Sequence, residues 1–252
     1  MKVLLINGSP RERGNTRAAL DEIARTLAAE GVETELISVG TGPVSGCTAC
    51  GACAKTGRCV LEGGVNEAVE ALAAADGLIV GTPVHYASPA GALLAFLDRM
   101  FYAGAERFAH KPAAAFACAR RAGTTASLDV INKYFTISQM PVVSSTYWPM
   151  VHGSTPEEVA QDAEGLQTVR NLARNMAWLI KCIKESGIEP PKPDLGYLHS
   201  GDTARNGVII YCGYWNETMK YPESYVLNTP ADLIPYVAYV DRDGKIADTM
   251  YD

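Results

Sequence analysis

Lys2-Val3-Leu4-Leu5-Ile6 runs directly into Asn7-Gly8-Ser9-Pro10, and helical spacing begins at Thr16. A short apolar run that breaks at Asn, Gly and Pro reads as a buried strand entering a loop. From Thr16 to Glu30 apolar residues recur at Ala19, Leu20, Ile23, Ala24, Leu27 and Ala28, and Gly31 stands where a C-terminal cap belongs. Strand, polar loop and helix in that order open a βαβ unit.

The pattern continues outward. Val32–Ser38 alternates like a second strand, Val65–Ala75 has helical spacing, and Leu78–Gly81 is a third apolar run. Ser88 is placed as a helix N-cap with Pro89 at the first helical position, leading through Leu93, Leu94 and Leu97 towards Phe101. Ala113–Ala117 reads as a fourth strand, Thr125–Ser138 as a helix and Pro141–Val143 as a short fifth strand. Five such units imply an α/β fold: a doubly wound, five-stranded parallel sheet of the flavodoxin type, with too few repeats for an eight-unit barrel. Ligands of such sheets bind outside the carboxyl ends of the strands, so the loops after strands one, three and four are where function belongs.

Thr155-Pro-Glu-Glu158 is a capping box, and Val159, Ala163, Leu166, Val169, Leu172, Met176, Leu179 and Ile183 follow at helical steps. They predict one helix to about Ser186, roughly 45 Å long at 1.5 Å per residue. Past Pro190, Pro191 and Pro193 the texture changes, and eight of the twelve tyrosines lie from Tyr197 onwards. Gly207–Cys212 and Tyr236–Val240 read as strands, the second joined through Asp241-Arg-Asp-Gly244 to Lys245–Thr249 as a hairpin. The expected division is a flavodoxin-like domain over 1–187 and a Tyr-rich C-terminal extension over 188–252. The overlong helix and the aromatic tail together predict a homodimer or higher homo-oligomer.

At 48% hydrophobic and 20% charged residues the chain is globular rather than disordered, and its net charge of −6 without a basic block disfavours nucleic acid. The N-terminal apolar run is too short for a signal peptide or a membrane span. A cytoplasmic protein is expected, and clustered thiols in a reducing compartment point to metal or redox chemistry before structural disulfides.

Gly8-Ser9-Pro-Arg11-Glu-Arg13-Gly14-Asn15-Thr16 lacks the Lys-Ser/Thr ending of a P-loop and does not match Gly-x-Gly-x-x-Gly. It offers hydroxyl and amide side chains, an arginine and free backbone N–H groups at a helix start, the groups a terminal phosphate needs. An ordinary polar loop in which Asn15 or Thr16 caps the helix is the alternative. Taken with Thr82-Pro-Val-x-Tyr86 after the third strand, this loop resembles that of the flavodoxin-like NADPH-dependent FMN reductase family. The four clustered cysteines resemble those of its iron–sulfur flavoprotein branch. The resemblance covers residues 1 to about 187 and leaves the tail unexplained.

The resemblance implies FMN, with its phosphate held by Ser9, Arg11, Asn15 and Thr16. It also implies that Pro83, Val84, His85 and Tyr86 run along the pyrimidine side of the flavin. Pro83 stiffens that segment and biases Thr82 towards an extended conformation. Tyr86 has a second reading as a core aromatic, and His85 as a plain surface-loop histidine rather than a proton donor. The loop Ala119-Arg120-Arg121-Ala-Gly123-Thr124-Thr125 after the fourth strand meets the flavin from the other side; Gly123 and Arg120 or Arg121 are its candidates, with solvated arginines as the rival reading.

Cys47-x2-Cys50-x2-Cys53-x5-Cys59 is compact, with Thr48, Ala49, Gly51, Ala52 and Ala54 between the thiols. Small spacers let four thiolates converge on one [4Fe–4S] cluster; a four-cysteine zinc site, a dithiol pair and free thiols remain alternatives. Gly63-Gly64 stands where acidic residues are expected in this branch. Cys118, Cys182 and Cys212 read as buried small hydrophobes. The activity implied is an oxidoreductase passing electrons from NAD(P)H through FMN to a flavin, quinone or nitro- or azo-aromatic. The rival is an electron carrier that exchanges electrons with a ferredoxin-like partner.

Overall fold

A computed structural model describes residues 1–192 and, beyond them, three strands. Two compact units result, Met1–Glu189 and Pro190–Asp252. The first comprises β1 (Lys2–Asn7), α1 (Asn15–Ala29), β2 (Glu33–Ser38), α2 (Ala52–Thr56), α3 (Val65–Ala74), β3 (Gly77–His85), β4 (Ser88–Pro89), α4 (Gly91–Phe108), β5 (Ala113–Ala119), α5 (Thr124–Ile137), β6 (Met150–His152), α6 (Pro156–Val159) and α7 (Ala163–Glu185). The second contains β7 (Val208–Cys212), β8 (Tyr236–Val240) and β9 (Ile246–Thr249), paired antiparallel in that order. Both expected tail strands and the third are there, while the Asp241–Gly244 turn lies outside the described residues.

Strands β2-β1-β3-β5-β6 form one parallel sheet, the flavodoxin order. Successive residues send side chains to opposite faces. Leu4, Ile6, Leu78, Val80 and Ala115 therefore join α3, α4 and α5 in one core, and Val3, Leu5, Ile79 and Phe116 join α1 and α7 in the other. Burial on both faces explains why these strands read as unbroken apolar runs. Among the described residues no helix is long and apolar enough to cross a membrane.

Several expectations fail. The third strand does not stop at Gly81; it runs to His85, and Ser88-Pro89 pairs back on Val84 and His85 as an antiparallel hairpin. Ser88 therefore caps no helix, and α4 begins at Gly91. The turn residues Tyr86 and Ala87 both have positive φ, at 51° and 57°, as a two-residue hairpin loop of type I′ requires. Neither is the Gly or Asn that signals such a loop in sequence. The fifth sheet strand is Met150–His152 rather than Pro141–Val143, which makes only an isolated bridge from Val142 to Ala113.

The overlong helix is broken. Asp162 starts a new one, its carboxylate accepting from Gly165 N (2.9 Å) and from His152 N (2.6 Å), so α7 has 23 residues and α6 is a single turn. The apolar spacing carries across the break because Val159 and Val169 both pack on the same face of the sheet. An unbroken helix no longer argues for an oligomer.

Candidate functional site

All five parallel strands end on one side of the sheet, and the loops there are cross-braced. The first loop is shaped from within: Asn7, fully buried, accepts from Ser9 N (3.1 Å), and Ser9 Oγ accepts from Arg11 N (3.1 Å). Gly8 N donates to Gly81 O of β3 at 2.8 Å. At the head of α1 the N-cap is Gly14, not Asn15 or Thr16, and no side chain caps it. Asn15 instead donates across to Gly153 O after β6 (2.7 Å). Thr16 is 1% exposed, and its methyl carbon lies against Gly81. The first N–H groups of a 15-residue helix are thus left without a side-chain acceptor, facing the same end as exposed Arg11 and Arg13. Neither arginine is ion-paired among the described residues. Open N–H donors beside free guanidinium groups fit a phosphate dianion.

The β3–β4 hairpin stands next to this loop. Thr82 Oγ1 accepts from Ala90 N (3.1 Å) and Pro83 pairs with Cys118 of β5, so the base of the hairpin is tied on both sides. Pro83 and Val84 are half-buried, while His85 and Tyr86 are exposed, Tyr86 fully so. The core-aromatic reading of Tyr86 therefore fails. Gly123, at φ +96°, packs beneath the hairpin tip: a Cβ there would stand 2.7 Å from Ala87 Cα and 2.8 Å from Val84 Cγ1. Only glycine combines that backbone with that approach. Arg120 and Arg121 flank it, both exposed. Cys118 just below is buried; desolvation pushes its thiol up to about 12, against a hydrogen bond from Thr16.

The cysteine loop leaves the carboxyl end of β2. Cys47, Cys50, Cys53 and Cys59 are all free thiols and line one pocket of about 250 Å³ together with Val60, Leu61, Arg99 and Tyr102. Among the described residues no three His, Cys, Asp or Glu side chains stand close enough to hold one metal ion. Arg99, on α4, donates from Nε to Cys59 Sγ at 3.2 Å. Burial opposes ionisation of Cys59, yet the Arg99 hydrogen bond, the Leu61 N–H and the guanidinium charge outweigh it and hold the thiol below its ordinary value. Gly63 and Gly64, at φ +115° and +75°, turn the chain from this loop into α3, a backbone that acidic residues would adopt only under strain.

Residues 1–155 match the NADPH-dependent FMN reductase family. The chain belongs to that family. Within this FMN reductase family it falls in the iron–sulfur flavoprotein branch. It is 33% identical over 194 residues to the iron–sulfur flavoprotein MJ1083 of Methanocaldococcus jannaschii, covering 73% of this chain and 100% of that one. It is 29% identical over 190 residues to the iron–sulfur flavoprotein of Methanosarcina thermophila, covering 74% and 98%. Among solved structures it resembles an NADH:FMN oxidoreductase, EMOB, with a TM-score of 0.51 at 25% identity, over 70% of this chain and 88% of that one. The chain is a flavoprotein oxidoreductase that uses FMN.

For a member of this family the placement of the expected residues is plain. Ser9, Arg11, Asn15 and Thr16 surround one loop, Pro83 to Tyr86 form the adjoining hairpin, and Arg120 and Gly123 lie on its far side. Two features escaped the sequence reading. His152, the last residue of the true fifth strand, and Gly153 just after it reach Arg121 O (3.1 Å) and Asn15 respectively and close the ring of loops. Their signal was masked because Pro141–Val143 carried the stronger strand pattern. Arg99 was invisible because an arginine inside a helical apolar stripe reads as an exposed charge. The expected burial of Cys182 also fails: Met176, Ala177 and Ile180 face the core, and Cys182 falls on the other side of α7 and is exposed. The side chain of Cys212 lies outside the described residues.

Proposed function

We propose that this FMN-dependent oxidoreductase takes electrons from NAD(P)H and delivers them to a small aromatic or quinonoid acceptor at an open flavin edge. The observation that carries the reading is the bracing of three loops into one site: Gly8 N–H on the Gly81 carbonyl, Asn15 on the Gly153 carbonyl, and Gly123 beneath the Val84–Ala87 turn. Bound FMN supplies the redox chemistry itself. The chain's own task is to hold and orient. Arg11, Ser9, Asn15, Thr16 and the open end of α1 grip a phosphate. The Pro83–Tyr86 backbone aims donors at one edge of a flat ring, where they favour negative charge. His85 and Tyr86, both exposed at the hairpin tip, are the first side chains an incoming substrate meets.

The cysteine pocket favours a second reading beside the first. Four soft thiol donors without hard-oxygen partners, on a loop of small residues, are the donor set of a [4Fe–4S] cluster. That cluster would supply one-electron chemistry and a route to a ferredoxin-like partner. The thiols share pocket walls rather than a common centre, so loading requires the loop to draw in. Anaerobic stopped-flow decides between donors. Fast flavin bleaching by NADPH or NADH supports the reductase. Slow bleaching by both, with fast bleaching by reduced ferredoxin, replaces it with the carrier.

A further inference from the structure

Arg99 is the bulkiest side chain withdrawn from solvent among the described residues, at 1% exposure. It sits in the apolar stripe of α4, between Phe96 and Met100 on one side and the cysteine loop on the other. Its partners are Cys59 Sγ (3.2 Å), Ser45 O (3.4 Å), Glu62 O (2.8 Å) and Leu61 O. All of these belong to the cysteine loop, and three are neutral carbonyls. Among the described residues no carboxylate pairs with it. Carbonyl oxygens satisfy the N–H donors but do not cancel the charge, and a buried cation without an anion is strongly disfavoured. The group beside it that can carry negative charge is the Cys59 thiol.

We propose that Arg99 is the fixed counter-charge and positioning residue of the four-cysteine site. The proposal rests on the reading of that site as an iron–sulfur centre. Its planar fork holds the chain before Cys47, at Ser45, and after Cys59, at Leu61 and Glu62, so both ends of the cysteine run are pinned by one group. Its charge lies next to one ligand sulfur, and the guanidinium itself is withdrawn from water, which lessens screening. An electron added to a four-thiolate centre adds negative charge, so a fixed cation beside the sulfur stabilises the reduced form more than the oxidised one. Lysine keeps the charge but cannot make the fork.

The test compares wild type, Arg99→Gln and Arg99→Lys, each prepared anaerobically with iron and sulfide. Redox titration followed by electron paramagnetic resonance reads the potential, and FMN content serves as the folding control. Arg99→Gln is expected to move the one-electron equilibrium at least tenfold towards the oxidised form, a fall of about 59 mV. Arg99→Lys is expected to stay close to wild type in potential. In iron-free protein both variants should show faster hydrogen exchange over residues 45–62 than wild type. Equal potentials in all three iron-loaded proteins overturn the counter-charge, and unchanged exchange overturns the positioning role. If Arg99→Gln loses FMN, the lysine variant decides: an unmoved potential with a loosened loop supports the proposal, and a potential lower by about 59 mV or more, a tenfold change in the equilibrium, overturns it. Wild type that takes up no iron under these conditions rejects the iron–sulfur reading itself, which is a different failure.

Discussion

The loop after β1 and the cysteine loop leave neighbouring strands at the same end of the sheet, yet they are held in opposite ways. The first is tied to the sheet by short bonds spread over many residues, and Asn7, Ser9 and Thr16 are nearly or fully buried. The second is largely exposed and is held at few points, by one guanidinium and by the Asn66 amide of α3 on Cys59. Distributed bracing sets a site in advance of its ligand, which is what a preformed cofactor with a fixed shape needs. A loop held at so few points can draw in around a centre assembled within it, and would take its final order from that centre. Two loops on one sheet end thus need not share a strategy: the first is set by folding, and the proposed cluster would complete the second.

The largest effect expected of that contrast is all-or-none. Replacing Cys50 by Ser should abolish iron retention while FMN stays bound near one per chain, measured by iron assay and flavin absorbance on the same sample. Loss of both cofactors together would break the comparison. Next is Gly123→Val. The left-handed backbone and the contacts with Ala87 and Val84 together cost at least about 2 kcal/mol of fold stability, read as a lower Tm, and FMN should bind more weakly by fluorescence titration because the hairpin tip must shift. An unaffected iron content in that variant would sharpen the separation of the two sites.

A smaller effect is expected from Arg11→Ala. A lost charge-assisted hydrogen bond of about 1.5–3 kcal/mol weakens FMN about tenfold or more and leaves riboflavin nearly unchanged. Parallel losses for both flavins would show that the loop acts through stability and not through the phosphate. Thiol labelling gives a graded readout of the same contrast. Iodoacetamide at pH 8 should modify Cys47 and Cys50 in iron-free protein well before Cys118, whose thiol burial raises to about 12. Mass spectrometry of the peptides orders them.

The smallest effect lies away from both loops. Hydrogen bonds from Arg170 and Arg25 hold the Glu22 carboxyl below its ordinary 4.5, joining α1 to α7. A depressed carboxylate stabilises the fold above its unfolded value, and that contribution is lost as pH falls through the lower folded value. Thermal stability should therefore decline below about pH 4.5, and Glu22→Gln should flatten part of that decline while costing under about 1 kcal/mol at pH 7.

The alternation of apolar runs with amphipathic helices was enough by itself to determine the doubly wound sheet, because strands buried on both faces must be apolar throughout. The same held for the loop after β1 and the four-cysteine spacing, since both are local patterns of residue type. Tertiary structure alone decided where β3 ends: Tyr86 and Ala87 carry no turn signal, and it is the glycine at position 123, far away in sequence, that leaves space for their hairpin. It also decided the last sheet strand, where three residues pair with β5 although a more apolar segment lies nearby, and the break before α7, where the Asp162 carboxylate finds a backbone N–H on β6. Arg99 is the clearest case. A sequence records a charge within an apolar stripe, but only the packing of α4 against a loop some forty residues earlier gives that charge its four partners and removes it from water, because burial and pairing are properties of the assembled chain.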